Sequence, residues 1–171
     1  DMKRCPGVDI STGSLGQGLS TAVGMAIAGK RDSRGYRVFC LVGDGEAQEG
    51  QIWEAVQTAA KYQLDNLVIF VDNNRLQNDN TCDIVMPTGD LAKKFEAFGC
   101  ETARINGHSI SEIVKVLDSI RGKKSQKPFC IVANTVKGQG VSFMENVVAW
   151  HGMAPNDAQF AQALSEIEGG R

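Results

Sequence analysis

A chain of 171 residues that is 42% apolar and 22% charged is one domain's worth of sequence and can bury a core of its own. Its formal net charge of −2 gives no electrostatic support for nucleic acid or an anionic membrane as partner, and no apolar run approaches membrane-spanning length. The five cysteines (Cys5, Cys40, Cys82, Cys100 and Cys130) are scattered without a C-x-x-C pair and accompany only two histidines, which argues against a disulfide framework or a zinc site and fits a reducing, cytoplasmic setting.

The opening residues, Asp1 to Gly7, resemble neither a signal peptide nor a capped element. Gly13-Ser14-Leu15-Gly16-Gln17-Gly18 then leads into a helix whose Leu15, Leu19, Val23, Ala26 and Ile27 recur at helical spacing and make one apolar face. Glycines before a helix N-terminus can offer free N–H groups to a phosphate, or can simply let helices pack closely. The order G-x-x-G-x-G is neither the dinucleotide fingerprint nor a P-loop. Residues 37–42 form a short apolar run that stops at Gly43, the mark of a buried strand delivering Asp44 into a turn between two glycines.

A helix is expected from Glu46 to Tyr62, with Ile52, Val56, Ala59 and Ala60 facing a core and Glu49 and Glu54 in its first turns, where acids complement the dipole. Leu67 to Val71 is a second strand and ends on Asp72-Asn73-Asn74. Strand, helix and strand make a βαβ unit with parallel strands, so Asp44 and Asn74, 30 residues apart, reach the same sheet edge. A carboxylate and an amide oxygen there suit a hard divalent cation holding a diphosphate, with a backbone carbonyl as third donor. An ordinary strand-end aspartate in a turn is the alternative.

Arg75 to Thr88 reads as a polar surface loop. Asp90 caps a short helix with Leu91, Phe95 and Phe98 inward, closed by Gly99, and Cys100 to Ile105 is an edge strand. Ser109 and Glu112 form a capping box for a helix that Gly122 ends, with Lys123, Lys124 and Lys127 in a solvated turn beyond it. His108, just before that serine, is expected at the surface or in the cap. Pro128 to Ala133 is a further buried strand, Lys137-Gly138-Gln139-Gly140 a flexible loop, and Asn156 begins an amphipathic helix carrying Phe160, Ala163, Leu164 and Ile167. Four strands alternating with helices give an α/β fold, a doubly wound, mostly parallel sheet with helices on both faces.

Gly43-Asp44-Gly45 followed about thirty residues later by Asn73-Asn74 is similar to the thiamine-diphosphate motif. The longer string from Gly43 to Ala55, with Asp65-Asn66-Leu67, resembles transketolases, most closely the N-terminal subunit of those split into two chains, and the likeness runs from about Pro6 to Pro155. The resemblance implies a single diphosphate-binding domain over residues 1–171 that lacks an upstream region. It implies thiamine diphosphate and Mg²⁺ (or Ca²⁺ in its place) as cofactors. It implies metal ligands at Asp44, Asn74 and the Leu76 carbonyl, and a cofactor site lined by Gly13, Ser14, Leu15, Gly43, Gly45 and His151. Glu49 and Glu54 match acids of the dimer interface that connect the two cofactors, and His151, in a His-Gly-x-x-Pro context, matches a histidine facing cofactor and substrate; His151 and Glu49 are the catalytic candidates.

The implied activity is transfer of a two-carbon ketol unit from a ketose phosphate to an aldose phosphate, the chemistry of the pentose phosphate pathway. The glutamate that activates the cofactor's aminopyrimidine belongs to a second domain. A C-terminal subunit carrying that pyrimidine-binding domain is therefore the expected partner, in an α₂β₂ assembly. The rivals are a non-catalytic nucleotide-binding module and a deoxyxylulose-phosphate synthase-like or 2-oxo-acid dehydrogenase-like subunit.

Overall fold

The computed structural model describes residues 2–122 and 125–169, so Lys123 and Lys124 lie outside the described residues. Four parallel strands, β1 (Val38–Gly43), β2 (Leu67–Asn73), β3 (Glu101–Asn106) and β4 (Phe129–Asn134), form one sheet in the order β1-β2-β4-β3. α1 (Gln17–Arg31) precedes β1 and α2 (Gly50–Lys61) joins β1 to β2. The short α3 (Cys82–Val85) and α4 (Leu91–Ala97) precede β3, α5 (Ile110–Ile120) precedes β4, and α6 (Asp157–Glu168) follows it.

Handedness explains which helix lies on which face. A right-handed crossover stepping one way along a parallel sheet puts its helix on one face, and a step back puts it on the other. The first two steps, through α2 and α4, run in one direction and the third, through α5, runs back. One core cluster accordingly joins Val38, Cys40, Val42, Leu67, Ile69, Val71, Cys130 and Val132 to α1, α2 and α4. A smaller one joins Val68, Ile105, Ile131 and Ala133 to Val116 and Ile120 of α5. Helices therefore cover both faces, as the alternation of elements predicts.

Being central, β2 and β4 are buried on both sides, which is why their apolar runs are continuous rather than alternating. β1 is an edge strand and alternates: Val38, Cys40 and Val42 face the larger core, whereas Phe39 and Leu41 are 56% and 73% exposed on the other face. Cys40, Cys82, Cys100 and Cys130 are buried as free thiols, and Cys5 is exposed. Among the described residues no helix is long and apolar enough to cross a membrane.

Several local expectations need correction. α1 begins at Gln17, because Gly16 takes a left-handed φ of +83°, and this leaves Leu15 57% exposed and off the apolar face. The helix expected from Glu46 is broken: Glu46–Gln48 make a single 3₁₀ turn, Glu49 is extended, and α2 starts at Gly50. The segment expected as a loop after Asn74 holds a Leu76–Thr81 bridge and α3. Ser109 caps α5 through the Glu112 N–H, but the Glu112 carboxylate accepts from the Asn106 N–H at 2.8 Å, so only half of the capping box forms. Asn156 and Gln159 do form a full box on α6, although Phe160, Leu164 and Ile167 point to solvent and only Ala163 of that face is buried.

Candidate functional site

The register of the sheet levels the strand ends. Gly43 pairs with Asp72, Asp72 with Ala133, and Asn73 with Asn134, so the polar residues that terminate β1, β2 and β4 meet along one edge. The Asp44 N–H donates to the Asp72 carbonyl at 3.1 Å, carrying the ladder one residue past β1. The Asp44 side chain, 1% exposed, accepts the Gly45 N–H on Oδ1 at 2.7 Å and the Arg75 N–H on Oδ2. Arg75 sits at φ +64°, unusual for a non-glycine residue, and this sharp turn is what brings its N–H back to Asp44.

Burial is the main reason the Asp44 carboxyl is pushed above its ordinary 3.8; the N–H donors and the Cys82 thiol oppose that shift, and the charge of Asp72 adds to it. None of those three donors is a basic side chain, and the Arg75 guanidinium turns outward to Asp83 at 2.6 Å. A buried carboxylate beside a second carboxylate is an arrangement that a cation would relieve.

Asn74, 8% exposed, supplies the matching neutral oxygen. Its Oδ1 accepts the Leu76 N–H at 2.9 Å while its Nδ2 donates to Asp72 Oδ2 at 3.1 Å. Among the described residues no group of three or more His, Cys, Asp or Glu side chains could hold a metal. A cation here would rest on one carboxylate, one amide oxygen, a backbone carbonyl and oxygens brought by a ligand, which is the donor set Mg²⁺ accepts.

The glycine loop before α1 is tied to this edge by Glu46, which the sequence marks only as the first residue of an expected helix. Its Oε1 accepts the Gly16 N–H at 2.8 Å and its Oε2 the Gly43 N–H at 3.1 Å. That brings Gly13, Ser14 and Leu15, all exposed, to the same end of the sheet as Asp44. It also takes up two of the glycine N–H groups that a phosphate could otherwise use. Gly45 packs so closely on Gln77 that a Cβ would lie 2.9 Å from its Oε1. Glu49 is exposed beside Gly16, and Gln51 bridges Gln17 and Ser20 at the start of α1. Replacing Glu46 with alanine orphans two N–H groups at roughly 1–3 kcal/mol for each buried one. Urea unfolding should show a loss of that order for Glu46→Ala and a smaller one for Glu46→Gln, with faster hydrogen exchange at Gly16 and Gly43.

His151 ends a single 3₁₀ turn, Val148–His151, anchored by the Trp150 indole N–H on the Phe143 carbonyl at 2.9 Å. The imidazole is exposed, and the following Gly152 lies against Asn78, a Cβ there being 3.7 Å from Asn78 Oδ1. His151 thus joins the loop that leaves Asn74 rather than the Asp44 turn itself. Glu54 is exposed on α2, with no described tie to the strand ends. His108, expected at the surface or in the cap, is exposed, and its Nε2 accepts the Val136 N–H at 2.7 Å, so it holds the exit of β4. A concavity of about 660 Å³ lined by Lys30, Gln63, Asp65, Glu101, Ser125, Gln126 and Lys127 lies at the opposite ends of the strands. Its Lys30 and Asp65 pair with each other at 2.8 Å, and it has none of the convergent chemistry of the Asp44 edge.

Comparison with known proteins bears on what this edge does. Residues 1–168 match the family described as transketolase, thiamine diphosphate binding domain. The chain is 40% identical over 162 residues to an apulose-4-phosphate transketolase subunit from Phocaeicola vulgatus, covering 95% of this chain and 57% of that protein. It is 42% identical over 169 residues to a 6-deoxy-6-sulfo-D-fructose transketolase subunit of a Clostridium species, covering 98% and 61%. The solved transketolase of Campylobacter jejuni superposes with a TM-score of 0.86 at 34% identity, over 95% of this chain and 26% of that one. The chain therefore spans a little over half the length of these subunit relatives and about a quarter of the solved transketolase.

Proposed function

The chain belongs to the transketolase family, in its thiamine-diphosphate-binding domain, and from that premise we propose that it is the diphosphate-binding subunit of a split transketolase. The observation that carries the reading is Asp44, a buried carboxylate held by N–H and thiol donors at the strand ends, one of them the N–H of Arg75, the residue that follows the buried Asn74. Asp44, Asn74 Oδ1 and the Leu76 carbonyl would hold Mg²⁺, or Ca²⁺ in its place. Gly13, Ser14, Leu15, Gly43 and Gly45 would line the cofactor. When bound, thiamine diphosphate supplies the carbon chemistry that breaks and remakes a bond next to a ketose carbonyl.

The protein's part is to orient that group and to move protons. His151, exposed and followed by Gly152 against the Asn78 loop, would donate to a phosphate oxygen or exchange a proton with substrate. Glu49 would lie at the face shared with a partner. That partner is a second chain carrying the pyrimidine-binding domain, in an α₂β₂ assembly, as the naming of the relatives as subunits suggests. Those relatives are named for apulose 4-phosphate or 6-deoxy-6-sulfo-D-fructose, sugars that each carry an anionic group, so a ketose of that kind is the proposed donor.

The test is calorimetric titration with thiamine diphosphate and Mg²⁺, followed by reconstitution. Mg²⁺-dependent binding and ketol transfer only after the partner subunit is added are the expected results. Strong transfer by this chain alone would overturn the split arrangement. Binding of ATP or NAD without thiamine diphosphate would overturn the cofactor, and preference for pyruvate over xylulose 5-phosphate would move the chain to another thiamine-dependent reaction.

A further inference from the structure

We propose that Asp72 is a positioning residue that fixes which end of the Asn74 amide faces the cation, and so makes Asn74 an oxygen donor; this rests on the metal-binding reading above. An amide beside a cation is useful only if its oxygen points inward, and its two ends are nearly equal in shape. At this strand end the choice is made by chemistry. The Asp72 carboxylate can only accept, and it takes the Asn74 Nδ2 donor on Oδ2 at 3.1 Å. The Leu76 N–H can only donate, and it takes Oδ1 at 2.9 Å. A flipped amide would set an NH₂ against an N–H and an oxygen against a carboxylate.

Asp72 is itself held from three directions. Its Oδ1 accepts the Thr135 hydroxyl, its carbonyl accepts the Asp44 N–H at 3.1 Å, and its backbone is locked between Gly43 and Ala133 in the sheet. The Thr135 N–H in turn donates to the Asn73 carbonyl at 3.3 Å. The exit of β4 therefore steadies a carboxylate, that carboxylate steadies an amide, and the amide keeps the remaining capacity of its oxygen at the strand end that Asp44 also occupies. Partners of this kind behind a metal ligand are typically worth roughly 10–100-fold in metal affinity.

The probe is Mn²⁺ with thiamine diphosphate, its free concentration read by electron paramagnetic resonance, on the full chain alone and assembled with its partner subunit. Asp72→Ala should weaken Mn²⁺ roughly 10–100-fold. Asp72→Asn, whose oxygen can still accept from Asn74 while its NH₂ meets the Thr135 hydroxyl, should stay within a few-fold of wild type. Asn74→Asp alone puts two acceptors face to face and should bind worse than the double variant Asp72→Asn/Asn74→Asp, which restores a donor and an acceptor; neighbouring groups couple in this way. Wild-type affinity in Asp72→Ala, or Asn74→Asp equal to the double variant, would overturn the role of Asp72. No Mn²⁺ binding by the wild type in either state would instead overturn the metal-site reading itself.

Discussion

Asp44→Ala is expected to abolish measurable Mg²⁺-dependent binding of thiamine diphosphate, a loss of at least roughly 100-fold, or about 2.7 kcal/mol. Among the three proposed donors Asp44 is the charged one, and the other two are neutral oxygens that cannot by themselves offset dehydration of a dication. The fold should lose less than the site. Alanine leaves the N–H groups of Gly45 and Arg75 without their acceptor, but it also removes a carboxylate whose ionised form burial disfavours.

That balance has a pH signature. Because the folded protein holds the Asp44 proton more tightly than the unfolded chain, ionising this group favours unfolding as pH rises from 3.8 through its raised value. In EDTA, the wild type should therefore lose stability relative to Asp44→Ala over that interval. With Mg²⁺ the sense reverses, since the cation selects the ionised form, and affinity should fall as pH drops through the raised value. Denaturant midpoints of the two proteins across pH, with and without Mg²⁺, check both statements, and parallel curves would refute them.

Phe95→Ala carries the largest expected effect on the fold. The side chain is 0% exposed, stands on α4 inside the larger core, and meets the Trp53 ring at 5.0 Å. Emptying such a site removes the transfer energy of the ring and leaves a cavity, about 3–5 kcal/mol together. Against a domain stability of roughly 5–15 kcal/mol that is a large share, and α4 is the helix packed on β3 and β4. Urea unfolding should show the midpoint falling steeply for Phe95→Ala and only modestly for Phe95→Leu, which nearly conserves volume. An alanine variant with wild-type stability would mean that the two aromatic rings do not close the core beneath α4.

Asp44 could be read from the chain because local signals coincide there: an apolar run, a glycine, an acid, and a second run ending alike one βαβ unit later. The sheet followed from the same periodicity. What escaped depends on contacts that spacing does not encode. α2 starts late because the Glu46 carboxylate turns back to Gly43 and reaches across to Gly16, 30 residues away, leaving Glu49 extended. Leu15 continues the periodic face on paper, but the left-handed turn at Gly16 takes it out of the helix. Asp72 has no role legible in the Asp72-Asn73-Asn74 string, since Thr135, which holds its carboxylate against the Asn74 amide, becomes a neighbour only when β4 lies beside β2. For α6 the pattern gave the helix and placed its start within one residue, and said nothing of the capping box at Asn156 or of what its apolar side would meet.

The distribution of the thiols makes the chain a ready-made single-label reporter. Burial pushes Cys40 and Cys82 up to about 11 and Cys100 to about 12, and raises Cys130 well above its ordinary 9.0, so these four present almost no thiolate near neutrality and little access to a reagent. Cys5 stands in the open, in the stretch that leads to the Gly13 loop. Under native conditions a maleimide dye should add once, and in denaturant up to five times, as intact mass would count. A fluorophore can be placed there without any mutation, and a change in its emission when the second subunit is added would follow docking in real time.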